Sequence, residues 1–72
     1  MKISLCYLNG SVDIEWNIPF FPRTGEYIST AEILSEKEAK QLAENRDYFK
    51  IINISWFPSL DSKEPYAEII LE

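Results

Sequence analysis

Residues 2–16 read Lys-Ile-Ser-Leu-Cys-Tyr-Leu-Asn-Gly-Ser-Val-Asp-Ile-Glu-Trp, and their reading decides the fold. Two alternating runs flank Asn9-Gly10, a pair preferred in type I′ turns because both central residues must take positive φ. A turn at those two residues predicts Leu8 opposite Ser11, Tyr7 opposite Val12, Leu5 opposite Ile14 and Ile3 opposite Trp16. One face of the hairpin is then almost wholly apolar. The other pairs Cys6 with Asp13, Ser4 with Glu15 and Lys2 with Asn17. A slip of one residue would send every apolar side chain to the wrong side, so turn chemistry and hydrophobic pattern agree.

Outward from the hairpin lies Ile18-Pro-Phe-Phe-Pro-Arg-Thr-Gly-Glu-Tyr-Ile28. Pro19 and Pro22 fix φ and remove backbone donors, which excludes a central strand. Gly25 frees the backbone for a turn. The segment reads as a stiff apolar crossover into a short strand, about Glu26 to Thr30. Ser29 to Leu34 fits either a continued strand or a turn. Ser35 to Asn45 is the helix candidate: Ser35 with Glu38 forms a capping box, Leu34 and Ala39 a hydrophobic staple, and Glu36 with Lys40 an i,i+4 pair. Ala39, Leu42 and Ala43 give it only a narrow apolar stripe, so the helix is expected to lie lightly on the sheet, outside its core.

Tyr48 to Phe57 is the second strong strand. Ile52, Ile54 and Trp56 alternate with Asn53 and Ser55, whereas Phe49 and Ile51 point to the opposite side. That end therefore reads as apolar on both faces, with the upstream helix as its cover. Pro58 to Pro65 has the composition of an exposed loop. Tyr66 to Glu72 closes the chain as a strand with Ala67, Ile69 and Leu71 on one face; Ile70 breaks the alternation and is expected at a partly covered edge. The whole reads as mainly β with one short helix: one domain over residues 1–72, a small strongly bent antiparallel sheet or partly open barrel of about five strands.

The order hairpin, Pro19-Phe20-x-Pro22-Arg23-x-Gly25-Glu26, strand, Trp56-ending strand and C-terminal strand resembles small bacterial proteins of unknown function with Src-homology-3-like barrels. The resemblance implies a partly open barrel of that kind, with the motif residues as its connection. Ser35 to Asn45 departs from the pattern as an insertion. No activity comes with the resemblance.

Composition narrows the function. The chain has 72 residues, 46% of them hydrophobic, which suffices for one core near the small end of independently folding domains. A single cysteine permits no internal disulfide and points to a reducing, cytoplasmic setting. No signal-peptide pattern or membrane-span-length apolar run is present. A net charge of −5 makes nucleic acid a poor partner, and the seven basic residues form no run. Histidine is absent, removing the usual general base near neutral pH and the commonest transition-metal ligand. Cys6 sits mid-strand, and a nearby carboxylate would suppress its thiolate. Asp13 with Glu15 and Asp61 with Glu64 lack the spacing of a calcium loop, and Gly10 and Gly25 belong to turns rather than a phosphate cradle. The expectation is a non-enzyme without metal or cofactor.

The aromatics carry the functional signal. Phe20, Phe21, Tyr27, Trp56 and Phe57 can converge around the proline-rich crossover, and such a groove suits a peptide or extended strand. The candidate binding residues are Phe21, Arg23, Tyr27, Trp56 and Phe57. The competing structural reading has Phe20 and Trp56 plugging the barrel end and Arg23 paired with Glu26 across the turn. The expected function is a protein–protein interaction module whose partner is another protein or a second copy in a homodimer. The alternative is a small-ligand or single-stranded nucleic-acid binder that uses the aromatic crossover as a stacking platform.

Overall fold

A computed structural model describes residues 1–58 and 64–72. Strands β1 (Lys2–Tyr7) and β2 (Gly10–Glu15) form the hairpin; β3 (Tyr27–Ser29), α1 (Glu36–Leu42), β4 (Tyr48–Phe57) and β5 (Tyr66–Leu71) follow. The sheet order is β2-β1-β5-β4-β3, and the sheet curls through 216°, a half-barrel with one short helix. All pairings are antiparallel except β1 with β5, which run parallel, so the sheet is mixed. β5 is therefore the middle strand, not an edge. Ile70 sits on its outer face between Cys6 of β1 and Asn53 of β4.

The hairpin forms with a register two residues from the expected one. Tyr7 pairs with Gly10, Leu5 with Val12 and Ile3 with Ile14, which places Leu8 and Asn9 in the turn. Leu8 has φ 51°, the one positive φ outside glycine among the described residues. Positive φ at the first turn residue and not the second is the sign pattern of a type II′ turn. Gly10 is engaged elsewhere: a Cβ there would stand 2.5 Å from the Leu42 carbonyl oxygen and 2.6 Å from that of Gln41. The C-terminal end of α1 presses on the hairpin at the one position without a side chain. A two-residue slip preserves parity, so Ile3, Leu5, Val12 and Ile14 still share the concave face. Cys6 now stands opposite Ser11, and Asp13 opposite Ser4.

β4 resolves its two-sided pattern with a bulge. Ile51 pairs with Leu71 but Asn53 with Ile70, leaving Ile52 as the extra residue. One unpaired residue reverses the alternation. Phe49 and Ile51 before it therefore face the same way as Ile54 and Trp56 after it, toward Leu71, Ile69 and Ala67 of β5. That end of the strand is not apolar on both faces. Ile52 itself is 43% exposed.

The core lies inside the curl: Ile3, Leu5, Val12, Phe49, Ile51, Ala67, Ile69 and Leu71, joined by Leu34 and Leu42. Leu42 is buried and α1 packs against β2 and β1, so the helix belongs to the core and covers the hairpin rather than Phe49. Its capping box is formed, with Glu38 N–H donating to Ser35 Oγ and Ser35 N–H to Glu38 Oε1. Residues 30–34 make a turn, closed by Leu34 N–H donating to the Thr30 carbonyl at 3.0 Å. Arg46 then fastens this end. Its guanidinium lies 5.2 Å and 4.8 Å from the ring centres of Tyr7 and Phe49. It also donates to Tyr7 Oη and to the Tyr48 and Glu72 carbonyls. The exposed-loop reading of Pro58 to Pro65, with Asp61, falls largely outside the described residues.

Candidate functional site

The other mouth of the half-barrel is crossed by residues 17–26. Pro19 and Pro22 stiffen this segment, and two devices anchor it. At its start, Trp16 Nε1–H donates to the Phe20 carbonyl at 3.0 Å. At its end, Gly25 takes φ 94° and donates its N–H to the Ile51 carbonyl at 2.8 Å, while Ile51 N–H donates to Glu26 at 2.8 Å. Between them the expected Arg23–Glu26 pair is present, at 3.6 Å between Nη2 and Oε2. Arg23 N–H also donates to Glu26 Oε1 at 2.7 Å, and Glu26 N–H to the Arg23 carbonyl. The ion pair closes a turn on the surface, where water screens it and little stability follows.

The aromatics sort into two sets. Phe21 turns inward between the two tryptophans, its ring centre 5.9 Å from that of Trp16 and 4.7 Å from that of Trp56. Phe20, its neighbour, turns away and is 72% exposed. The plug is therefore Phe21, not Phe20. Beside this plug runs a groove of about 810 Å³, lined by Trp16, Ile18, Phe20, Phe21 and Pro22 on the crossover side. Tyr27, Ile28 and Ser29, the whole of β3, line it too, with the Tyr27 ring stacked on Tyr48 at 5.5 Å. Arg23, Glu26 and Ile33 complete it. Its volume lies within the range spanned by small-molecule pockets, and its lining is largely apolar with a few polar groups.

Of the candidate binding residues, Phe21, Arg23 and Tyr27 line the groove. Trp56, 56% exposed, backs Phe21 without lining it. Phe57 does not join them: it lies on the outer face of the sheet, stacked on Tyr66 at 4.8 Å. Strand alternation accounts for the separation, since adjacent Trp56 and Phe57 must face opposite ways. Trp16, Ile18 and Ile33 are lining residues that the aromatic clustering missed. The inward row Val12, Ile14, Trp16 held the signal for the first.

The outer face carries the remaining polar chemistry. Lys2, Ser4, Asp13, Tyr66 and Glu68 surround a shallow hollow of about 320 Å³. Beside it the half-buried Cys6 has its thiol pushed above the ordinary range. Burial is the main cause; a contact with Ser4 Oγ at 3.8 Å opposes it, and the Glu68 and Asp13 carboxylates add to it. Such a thiol is a poor nucleophile. Among the described residues no group of three or more cysteine or acidic side chains is placed to hold a metal ion. No helix among them is long and apolar enough to cross a membrane. Comparison with protein-family models, curated proteins and solved structures found no match.

Proposed function

We propose that this chain is a protein–protein interaction module that acts without catalysing a reaction, and that the groove between the crossover and β3 is its binding surface. One observation carries the reading: Phe20, 72% exposed, lines an apolar groove whose crossover is anchored at both ends, and the 59% exposed Tyr27 lies at its β3 side with its ring stacked on Tyr48. Exposing aromatic surface of this kind costs solubility, and clustered exposed aromatics mark sites that a partner covers. The proline crossover adds preorganisation, because its φ angles and anchoring bonds are set before a partner arrives. Relationship to the Src-homology-3-like barrels is part of the same proposal and rests on the Pro19–Glu26 motif together with the half-barrel. The charge of −5 disfavours a nucleic-acid strand on the same aromatics.

The test compares immobilised variants. A cellular protein retained by the native chain should be lost with Phe20→Ala and kept with Tyr66→Ala, whose ring lies on the outer face. Equal retention by both variants contradicts the assignment of the surface. Titration of a single-stranded oligonucleotide at low salt should leave Trp16 and Trp56 emission unchanged; quenching would favour a nucleic-acid site instead.

A further inference from the structure

We propose that the groove takes its occupant as an added β-strand on the free edge of β3, and that this occupant is an extended peptide segment alternating apolar with basic residues. The inference rests on the protein-binding reading above and specifies its mode and partner chemistry. The backbone supplies the first argument. Ile51 N–H donates to the Glu26 carbonyl and Thr30 N–H to that of Asp47, both at 2.8 Å, with Ile28 opposite Phe49 between them. Glu26, Ile28 and Thr30 therefore turn their peptide groups toward β4. Antiparallel alternation turns the N–H and C=O groups of Tyr27 and Ser29 the other way, off the edge of the sheet. β3 is an edge strand with β4 as its one neighbour, and among the described residues no turn, loop or cap bond reaches these groups. An edge with open donors and acceptors is a template for another strand, and this one lines the groove along its full length.

Side-chain geometry and charge specify the occupant. A residue placed opposite Ile28 would share its face and enter the groove toward Phe21 and Ile33, so alternate positions of the segment should be apolar. The intervening positions would emerge beside the stacked pair Tyr27 and Tyr48 on the outer side. Glu26 lies in the lining; next to lining residues Trp16 and Ile33 in sequence are the exposed Glu15, paired with the Met1 ammonium at 3.0 Å, and the exposed Glu32. Arg23 offsets Glu26, the Met1 ammonium offsets Glu15 and Lys50 stands opposite Tyr27 on β4, so the charge that the segment meets is the chain's net −5. Basic side chains at the emerging positions meet that charge. A second copy of the chain would bring the same carboxylates and its own −5 charge to the edge, which opposes self-pairing.

The probe is a terminally blocked peptide alternating valine with lysine, titrated into the isotopically labelled full chain and followed by amide exchange and chemical shift. In the free chain the Tyr27 and Ser29 amides should exchange freely while Ile28 and Thr30 are protected. Saturating peptide should slow exchange at Tyr27 and Ser29 by about tenfold or more. N-methylation of one alternate set of peptide amides should weaken binding about tenfold, and methylation of the other set should leave it within about twofold, because only one set faces β3. Glutamate in place of lysine should abolish the response at low salt. Peptide-induced shifts at Trp16 and Phe20 with no slowing at Tyr27 and Ser29 would overturn strand addition and leave the groove reading standing. No response at any groove residue would overturn both. A dimer in light scattering with Tyr27 and Ser29 already protected would replace the peptide by a second copy and overturn the basic-segment assignment.

Discussion

Leu8 carries backbone strain that the hairpin turn does not require of a leucine. Its φ of 51° costs a non-glycine residue about 1–2 kcal/mol, and its side chain is 85% exposed, so no packing recovers that cost. Leu8→Gly should therefore raise stability by about 0.5 kcal/mol after allowing for the freer unfolded chain, read as a higher urea midpoint. Gly10→Ala should do the reverse and cost about 1–3 kcal/mol, because the atoms its Cβ would meet are α1 backbone and cannot swing aside. These two residues also show why the register was not legible. Asn9-Gly10 has the composition of a turn, and local chemistry cannot show that a helix over thirty positions later needs that glycine for close approach. Arg46 was invisible for the same reason, one scattered cation among seven. Arg46→Ala should cost about 1–2 kcal/mol and Arg46→Lys should recover little of it, since an ammonium cannot span Tyr7, Tyr48 and Glu72 at once. At Cys6 the folded pKa is raised, chiefly by burial, so the folded chain holds a proton that the unfolded chain loses first. Any stability from this is present below the unfolded thiol pKa and declines as pH rises through the folded one. Alkylation at mildly alkaline pH should accordingly be slower in the native chain than in urea.

At the scale of elements, β4 shows how far alternation can be read. Its bounds, its apolar residues and the break in their parity all stand in the sequence; the bulge that reconciles them does not, because a parity break fits a two-faced strand equally well. The bulge makes a specific prediction. Removing Ile52 leaves Phe49, Ile51, Ile54 and Trp56 in strict alternation with Lys50, Asn53, Ser55 and Phe57, and aligns the ladder to β5 without a shift. The Ile52 deletion should still fold cooperatively, whereas inserting one alanine between Ile54 and Ser55 should lower the unfolding midpoint by turning Trp56 away from Phe21. Thermal unfolding followed by circular dichroism distinguishes them. The deleted strand would bend less, so the seating of Trp56 against Phe21 should change and tryptophan emission with it. β5 teaches a complementary lesson. Ala67, Ile69 and Leu71 declared its inner face, but its parallel pairing with β1 joins opposite ends of the chain and has no local signature.

Across the whole molecule, a half-barrel leaves its concave side open at both mouths, and this chain covers each with a different device. Helix α1 and Arg46 cover the hairpin end; the proline crossover, driven in by Phe21, covers the other. The curl, the five strands and the crossover were legible because each depends on short-range pattern and proline chemistry. Which of two adjacent phenylalanines turns in was not, since Phe20 and Phe21 are chemically identical and only the position of the tryptophans chooses between them. That choice underlies the proposed function, because it leaves one aromatic holding the fold and the other free for a partner. Urea unfolding of Phe20→Ala beside Phe21→Ala measures it directly. The account predicts a loss of about 2 kcal/mol for Phe21→Ala and a change within about 0.5 kcal/mol for Phe20→Ala. Equal losses, or the larger loss at Phe20, would contradict it.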